Sequence, residues 1–184
     1  MVRVSVRRAS AQQIDIEGQR RFCGLECAPM IIVKADLDDP RVLHLLELHV
    51  TRARAETARG SAHALAAVGL RTKDIGLWAV WDQDELLGLG ALKAVSKDHG
   101  EVKSMYTAEH ARRRGVGSAV LAHIIAQARE QGMKRLSLET GSWDYFTAAR
   151  AFYRRHGFEV CPPFADYKLD PNSVFMTLDL AAMA

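Results

Sequence analysis

Arg112-Arg113-Arg114-Gly115-Val116-Gly117-Ser118 is the stretch whose reading decides the fold. It follows Glu101 to Thr107, a segment that reads as a β-strand. It opens a run whose apolar residues fall at Val116, Val120, Leu121, Ile124, Ile125 and Ala128. That spacing is one face of a 3.6-residue period and predicts a helix to about Gln131. Gly132 stands just past the last apolar position, where a left-handed cap residue is wanted. The glycines therefore lie where a strand hands over to a helix N-terminus. There the first backbone N–H groups have no partner inside the helix, and the helix dipole favours negative charge. Gly115 and Gly117 lack the Cβ atoms that would hold a ligand away, and three consecutive arginines add charge and bidentate donors. The stretch predicts a socket for a phosphate or pyrophosphate.

Composition sets the outer bounds. A chain of 184 residues suits one domain with a real core. A net charge of +3 suits an anionic ligand but is too mild to argue for nucleic acid, and no long basic stripe with interleaved aromatics is present. Cys23, Cys27 and Cys161 are odd in number and lack zinc-site spacing, which points to a reduced, cytoplasmic setting. No apolar run approaches the ~18 residues of a membrane helix, and the N-terminus lacks the apolar core of a secretory signal. Neither nucleic acid nor a membrane is expected as a partner.

Taken in order, residues 1–30 are rich in Arg and Gln and read as a loosely ordered N-terminal tail, with residues 31–184 as the domain. The rival reading of the tail is an extension that packs on the domain or steers anions. Ile31 to Val33 predicts a strand. A helix follows from about Arg41 to Thr57, with Pro40 suited to its first turn and an inward stripe of Val42, Leu45, Leu46, His49, Val50 and Ala53. A short helix, Ala62 to Val68, follows with Ser61 as N-cap. Ile75 to Trp81 and Glu85 to Val95 predict a hairpin turned by Asp82-Gln83-Asp84. Gly88 and Gly90 thin its second strand, so something is expected to approach closely there. Beyond the long helix come a strand (Lys134 to Glu139), a helix (Thr147 to His156) and two strands (Phe158 to Cys161 and Val174 to Leu180). The order is β-α-α-β-β-β-α-β-α-β-β, an α/β fold with a mixed, mostly antiparallel sheet of about seven strands flanked by helices.

The pattern Arg-x-x-Gly-x-Gly at Arg112, Gly115 and Gly117 resembles the acetyl-CoA-binding signature of the GNAT N-acetyltransferases, and the element order from about residue 31 to 180 is similar to theirs. Glu101-Val-Lys-Ser-Met-Tyr106 resembles the family's fourth strand, which lines the pantetheine arm. Leu136 to Thr140 resembles the fifth. Ala149-Arg-Ala-Phe-Tyr153-Arg-Arg-His-Gly157-Phe158 is similar to the helix carrying a tyrosine near the CoA sulfur. The resemblance implies the GNAT fold and acetyl-CoA as acetyl donor. It implies that Arg112, Arg113, Arg114, Gly115, Val116, Gly117 and Ser118 hold the pyrophosphate, and that the backbone of Met105, Tyr106 and Thr107 meets the pantetheine and thioester. A dinucleotide fold is the rival for the glycine loop, with Glu139 as its acid. Against it, the third small residue would fall at Val120, and the preceding strand stops several residues early.

Three residues are candidates for acid–base chemistry. A primary amine is mostly ammonium at neutral pH, with a pKa of about 10.4, and only the neutral form attacks a thioester, so a base is needed. Glu101 lies eleven positions before Arg112, a spacing at which the histone acetyltransferase branch of the family carries its general base. The rival reading is a solvated acid paired with Lys103. Glu139, at the C-terminal end of the next strand, is the second candidate. Tyr153 is the candidate acid for the leaving thiolate, with a half-buried structural aromatic as its rival. In the family the first two helices wall the acceptor cleft, so His49 and His63 are candidate acceptor contacts, and Trp143 with Phe146 could shape the pocket. His44 and His49, five apart, do not share a helical face as metal ligands would, and no metal site is expected. Phe164 to Ser173 is turn-rich and reads as a lid or a plain loop.

Together these readings predict transfer of an acetyl group from acetyl-CoA to a primary amine of a small molecule, by direct attack in a ternary complex, since no cysteine lies near the candidate sites. A non-catalytic acyl-CoA sensor and a lysine acetyltransferase acting on a protein are the alternatives. Whether the chain forms a homodimer stays open.

Overall fold

The computed structural model describes residues 2–4, 30–56 and 67–181. The hydrogen-bonded core is one eight-stranded sheet in the order β1-β2-β3-β4-β5-β6-β8-β7. In chain order the strands are β1 (Val2–Val4), β2 (Met30–Lys34), β3 (Ile75–Asp82), β4 (Glu85–Ala94), β5 (His99–Thr107), β6 (Arg135–Gly141), β7 (Glu159–Val160) and β8 (Ser173–Asp179). The helices are α1 (Pro40–Ala55), α2 (Val116–Glu130) and α3 (Thr147–Arg155), with one-turn 3-10 helices at Ala67–Leu70, Glu109–Ala111 and Asp144–Phe146. Among the described residues only β5 and β6 run parallel, and every other pairing is antiparallel. The mixed, mostly antiparallel sheet expected from the sequence is present, with one strand beyond the seven. That strand, β1, pairs Val2 to Val4 with Ile32 to Met30. Most of the tail and of the predicted helix at Ala62 to Val68, with Ser61 and His63, lies outside the described residues.

Local chemistry sets the element ends. The Asp39 side chain accepts a hydrogen bond from the Arg41 amide at 2.8 Å, and Pro40 occupies the first turn, so α1 starts with a capped N-terminus. At the other end of α2, Gly132 takes φ 76° and the Met133 amide donates to the Ala128 carbonyl, the left-handed closure expected there. β7 starts one residue later than its apolar pattern suggests. The Phe158 amide is spent closing the last turn of α3 on the Tyr153 carbonyl, and so cannot join a ladder.

The two faces of the sheet carry different helices. Ideal Cβ atoms at Gly88 and Gly90 would meet Val116, Val120 and Ile124 of α2 at 2.8 to 3.0 Å, so these glycines let α2 lie close on the sheet. Phe152 of α3 lies beside Gly117 on the same face. On the other face α1 packs its buried Val42, Leu45, Leu46 and Val50 against the central strands.

Two irregularities shape the centre of the sheet. The β4–β5 register slips between Leu89 and Ala91, with Ser104 at φ 51° in the bulge. A bulge re-aims the residues that follow it, here Met105 to Thr107. The parallel β5–β6 pairing covers only His99 to Glu101 against Arg135 to Ser137. Beyond that point the two strands part, and the β6-facing backbone edge of Val102 to Thr107 is left without a strand partner.

Gly88→Ala tests the close approach. Its Cβ would sit 2.8 Å from the backbone oxygen of Tyr106, which cannot swing away as a side chain could. We expect a loss of roughly 1–3 kcal/mol in unfolding free energy, measured by denaturant titration, whereas an unchanged midpoint would show that both β5 and α2 can yield to the added methyl.

Candidate active site

The mouth of the β5–β6 fork opens into a cleft of about 530 Å³. Its lining joins three elements: Met105, Tyr106 and Thr107 from the end of β5, the loop and first turn of α2, and Phe152 and Arg155 from α3. His49 and Ala53 of α1 close it on the far side.

The α2 N-terminus has the anion-binding form the sequence suggests. Gly115 is its N-cap at φ 84°, in the left-handed region, and no side chain caps the helix. The first intrahelical bond is that of the Ala119 amide to the Gly115 carbonyl, so the amides of Val116, Gly117 and Ser118 have no partner inside the helix. Arg113 also has a positive φ, 62°, and such turns form concavities of N–H groups that hold anions. Arg113, Gly115, Val116, Gly117 and Ser118 line the cleft, and Gly117 sits where a Cβ would meet the Phe152 ring at 3.5 Å and Thr107 Oγ1 at 3.7 Å.

The three arginines divide. Arg112 and Arg113 line the cleft. Arg114 is absent from its lining and pairs with Asp82 at 2.7 Å and Glu85 at 3.8 Å, which ties the loop to the β3–β4 turn. Arg155 supplies the third cleft arginine. It escaped the sequence reading, although it lies three residues after Phe152 on the same side of α3.

At the closed end of the fork the structure brings together residues that lie far apart in sequence. Glu101, the last β5 residue paired with β6, is buried. Its Oε1 accepts hydrogen bonds from Lys103 Nζ at 2.7 Å and from the Tyr167 hydroxyl at 2.7 Å. Pairing with Lys103 was the rival reading for Glu101, but the pair is enclosed rather than solvated. Glu139 Oε1 accepts from the Ser173 hydroxyl at 2.7 Å. Burial and then the Glu139 charge raise the pKa of Tyr153 well above the usual phenol value. Burial, with the Glu101 and Glu139 charges and the Glu101 hydrogen bond, does the same for Tyr167. Both tyrosines therefore hold their protons at neutral pH.

Tyr153 is buried beneath the cleft, its ring packed edge-on against Phe152 and Phe158, and Phe152 rather than Tyr153 reaches the lining. His49 lines the cleft with its ring 5.2 Å from that of Tyr106. Burial lowers its pKa to about 4, so it is a neutral imidazole at pH 7. Trp143 is half exposed, outside the cleft lining, and donates its indole N–H to Asn172 Oδ1 at 2.9 Å, while its neighbours Tyr145 and Phe146 do line the cleft. Among the described residues no group of three or more His, Cys, Asp or Glu is gathered as a metal site, and no helix is long and apolar enough to cross a membrane.

Comparisons with known proteins agree with this geometry. A family model described as the acetyltransferase (GNAT) family matches residues 41–158. The uncharacterized N-acetyltransferase YedL of Escherichia coli is 44% identical over 152 residues, covering 82% of this chain and 96% of that protein. The uncharacterized N-acetyltransferase YsnE of Bacillus subtilis is 47% identical over 145 residues, covering 79% and 96% respectively. Among solved structures, a candidate acyl-CoA N-acyltransferase from Klebsiella pneumoniae superposes with a TM-score of 0.66 at 28% identity, over 82% of this chain and 97% of its own. An Elizabethkingia anophelis GNAT acetyltransferase solved with acetyl-CoA bound shares the fold, with a TM-score of 0.60 at 18% identity, over 82% and 97% of the two chains.

Gly117→Asp separates binding from folding. The site has room for a Cβ, and a carboxylate near a helix N-terminus is favourable for the helix itself. The same carboxylate would repel a phosphate held by the neighbouring amides. CoA affinity should fall well beyond tenfold, about 1.4 kcal/mol for each factor of ten, with the melting temperature kept. Calorimetric titration giving wild-type affinity in the folded variant would move the phosphate socket elsewhere.

Proposed function

The chain belongs to the GNAT acetyltransferase family, and from that premise we propose that it transfers an acetyl group from acetyl-CoA to a primary amine of a small molecule, by direct attack in a ternary complex. The observation that carries the reading is the buried Glu101 carboxylate at the closed end of the fork, beside a stretch of β5 whose β6-facing edge has no strand partner among the described residues. One feature supplies a proton acceptor and the other supplies free backbone groups, which are what thioester aminolysis asks of a protein.

The cleft fits acetyl-CoA in its donor set: uncapped helix amides, Arg112, Arg113 and Arg155 for phosphates, and a strand edge for an amide-bearing arm. When bound, acetyl-CoA supplies an activated thioester. Arg114 keeps the loop in place through Asp82 and does not itself hold the phosphate. Along Met105 to Thr107, re-aimed by the bulge, the amides that face away from β4 are the donors available to polarise a carbonyl. The acceptor enters from the α1 side, past neutral His49 and Tyr106, while Trp143 braces the rim through Asn172.

Glu101 takes the ammonium proton directly or through one water, with Glu139 as the second carboxylate at the fork. As the C–N bond forms and the C–S bond breaks, the electron pair leaves on sulfur. Tyr153 then acts as a hydrogen-bond donor toward the developing thiolate. A thiol has a pKa of about 8.5 and a phenol about 10, and burial raises the Tyr153 value further, so complete proton transfer from Tyr153 runs uphill. Its contribution therefore falls at the low end of the range for positioned acids.

Two variants and one screen test the reading. Glu101→Gln should lower kcat by about 10²-fold or more at neutral pH, with part of the activity returning at high pH as the amine deprotonates unaided. Tyr153→Phe keeps the ring packing and should lower kcat roughly tenfold with acetyl-CoA affinity unchanged. Full turnover with a lowered melting temperature would make Tyr153 structural. CoA release should be screened against polyamines, amino acids, aminoglycosides and a lysine peptide. Release with the peptide alone would contradict the small-molecule acceptor, and release with none of them would contradict the enzyme reading.

A further inference from the structure

The segment between β7 and β8, read from sequence as a lid or a plain loop, reaches into the fork through one side chain. Tyr167 is held there before any substrate arrives. Its amide donates to the Phe164 carbonyl at 3.1 Å, and its ring packs against Phe164 and Phe175 with centroids 5.1 and 5.4 Å away. Its hydroxyl accepts from Lys103 Nζ at 2.8 Å and donates to Glu101 Oε1 at 2.7 Å, while Lys103 Nζ also donates to that same oxygen at 2.7 Å. Three polar atoms thus close a triangle on one oxygen of the carboxylate. Glu101 Oε2 has no hydrogen-bond partner among the described residues, and it is not one of the fully enclosed, unsatisfied side-chain atoms.

We propose that Tyr167 is a positioning residue for acyl transfer: with Lys103 it locks Oε1 of Glu101, fixing the carboxylate rotamer so that Oε2 is the oxygen presented to the amine proton. The inference rests on the reading of Glu101 as the proton acceptor. A glutamate on a strand has three side-chain torsions, and an unanchored carboxylate would sample several orientations. Two charge-assisted bonds to a single oxygen stop that sampling without occupying the other oxygen. Lys103 alone could not do so as well, because an ammonium is a point charge that follows either oxygen. The tyrosine is held by its ring and so sets the direction. Its raised pKa keeps the hydroxyl a donor toward Glu101 across the neutral range. Tyr167 touches neither substrate in this scheme and acts through Glu101 alone.

The test is a double-mutant cycle on Glu101→Gln and Tyr167→Phe. The phenylalanine keeps the ring against Phe164 and Phe175, and turnover is counted per CoA-binding site measured by calorimetry, so that loss of folded protein does not enter kcat. Tyr167→Phe should lower kcat by roughly 10- to 100-fold, the range spanned by losing one hydrogen bond to a charged group, with KM for acetyl-CoA unchanged. In the Glu101→Gln background the same substitution should cost less than about twofold, because the two residues act as one unit. A Tyr167→Phe variant with wild-type kcat, or an equal loss in both backgrounds, would overturn the positioning role while leaving Glu101 as the base. A Glu101→Gln variant with full kcat would remove the base reading itself and the positioning role with it.

Discussion

Parallel pairing between β5 and β6 ends after Glu101 and Ser137, and everything at the site depends on that ending. A sheet leaves backbone groups unpaired only where something else can satisfy them. Here the bulge at Ser104 turns the next residues, and the crossover helix α2 starts beside the opening they leave. The β6-facing strand edge has no strand partner and the helix N-terminus no side-chain cap among the described residues, and both border one cleft. Gly88 and Gly90 matter for the same reason, since they let α2 lie low enough for its first turn to reach the end of β5.

Charge is distributed along that cleft by role. The cleft itself carries Arg112, Arg113 and Arg155 and suits phosphates, while two carboxylates, a lysine and two tyrosines that keep their protons lie outside its lining, around the fork between β5 and β6. The apolar and aromatic side chains of Met105, Phe146 and Phe152 contribute to the lining. The paired Lys103 compensates the buried Glu101 charge, which would be costly alone. Glu101 is paired with Lys103 rather than with any of the cleft arginines.

What was legible in the sequence was local. The helix period from Val116, the glycines at its start, the cap at Gly132 and the hairpin turn at Gln83 each depend on neighbours within a few residues, and each is present. The fork was not legible, because its depth depends on the register of two strands separated by the whole of α2. The division of the arginines was hidden for a similar reason: Arg114 and its partner Asp82 are far apart in sequence, and nothing in Arg112-Arg113-Arg114 says which one turns away. The pairing of Lys103 with Glu101 followed from their spacing on one strand, but the arrival of Tyr167 did not, since loop segments carry no periodicity from which a contact can be read. The extra strand at Val2–Val4 was signalled only by a short valine alternation.

The central claim is that the uncapped α2 N-terminus and the unpaired edge of β5 jointly hold acetyl-CoA. Amide hydrogen exchange with and without saturating acetyl-CoA measures this most directly. Added protection should concentrate on the backbone of residues 105–107 and 115–118, with little change in β2, β3 or the outer turns of α1. Protection centred elsewhere, or binding that leaves those two segments exchanging as they do in the free protein, would contradict it.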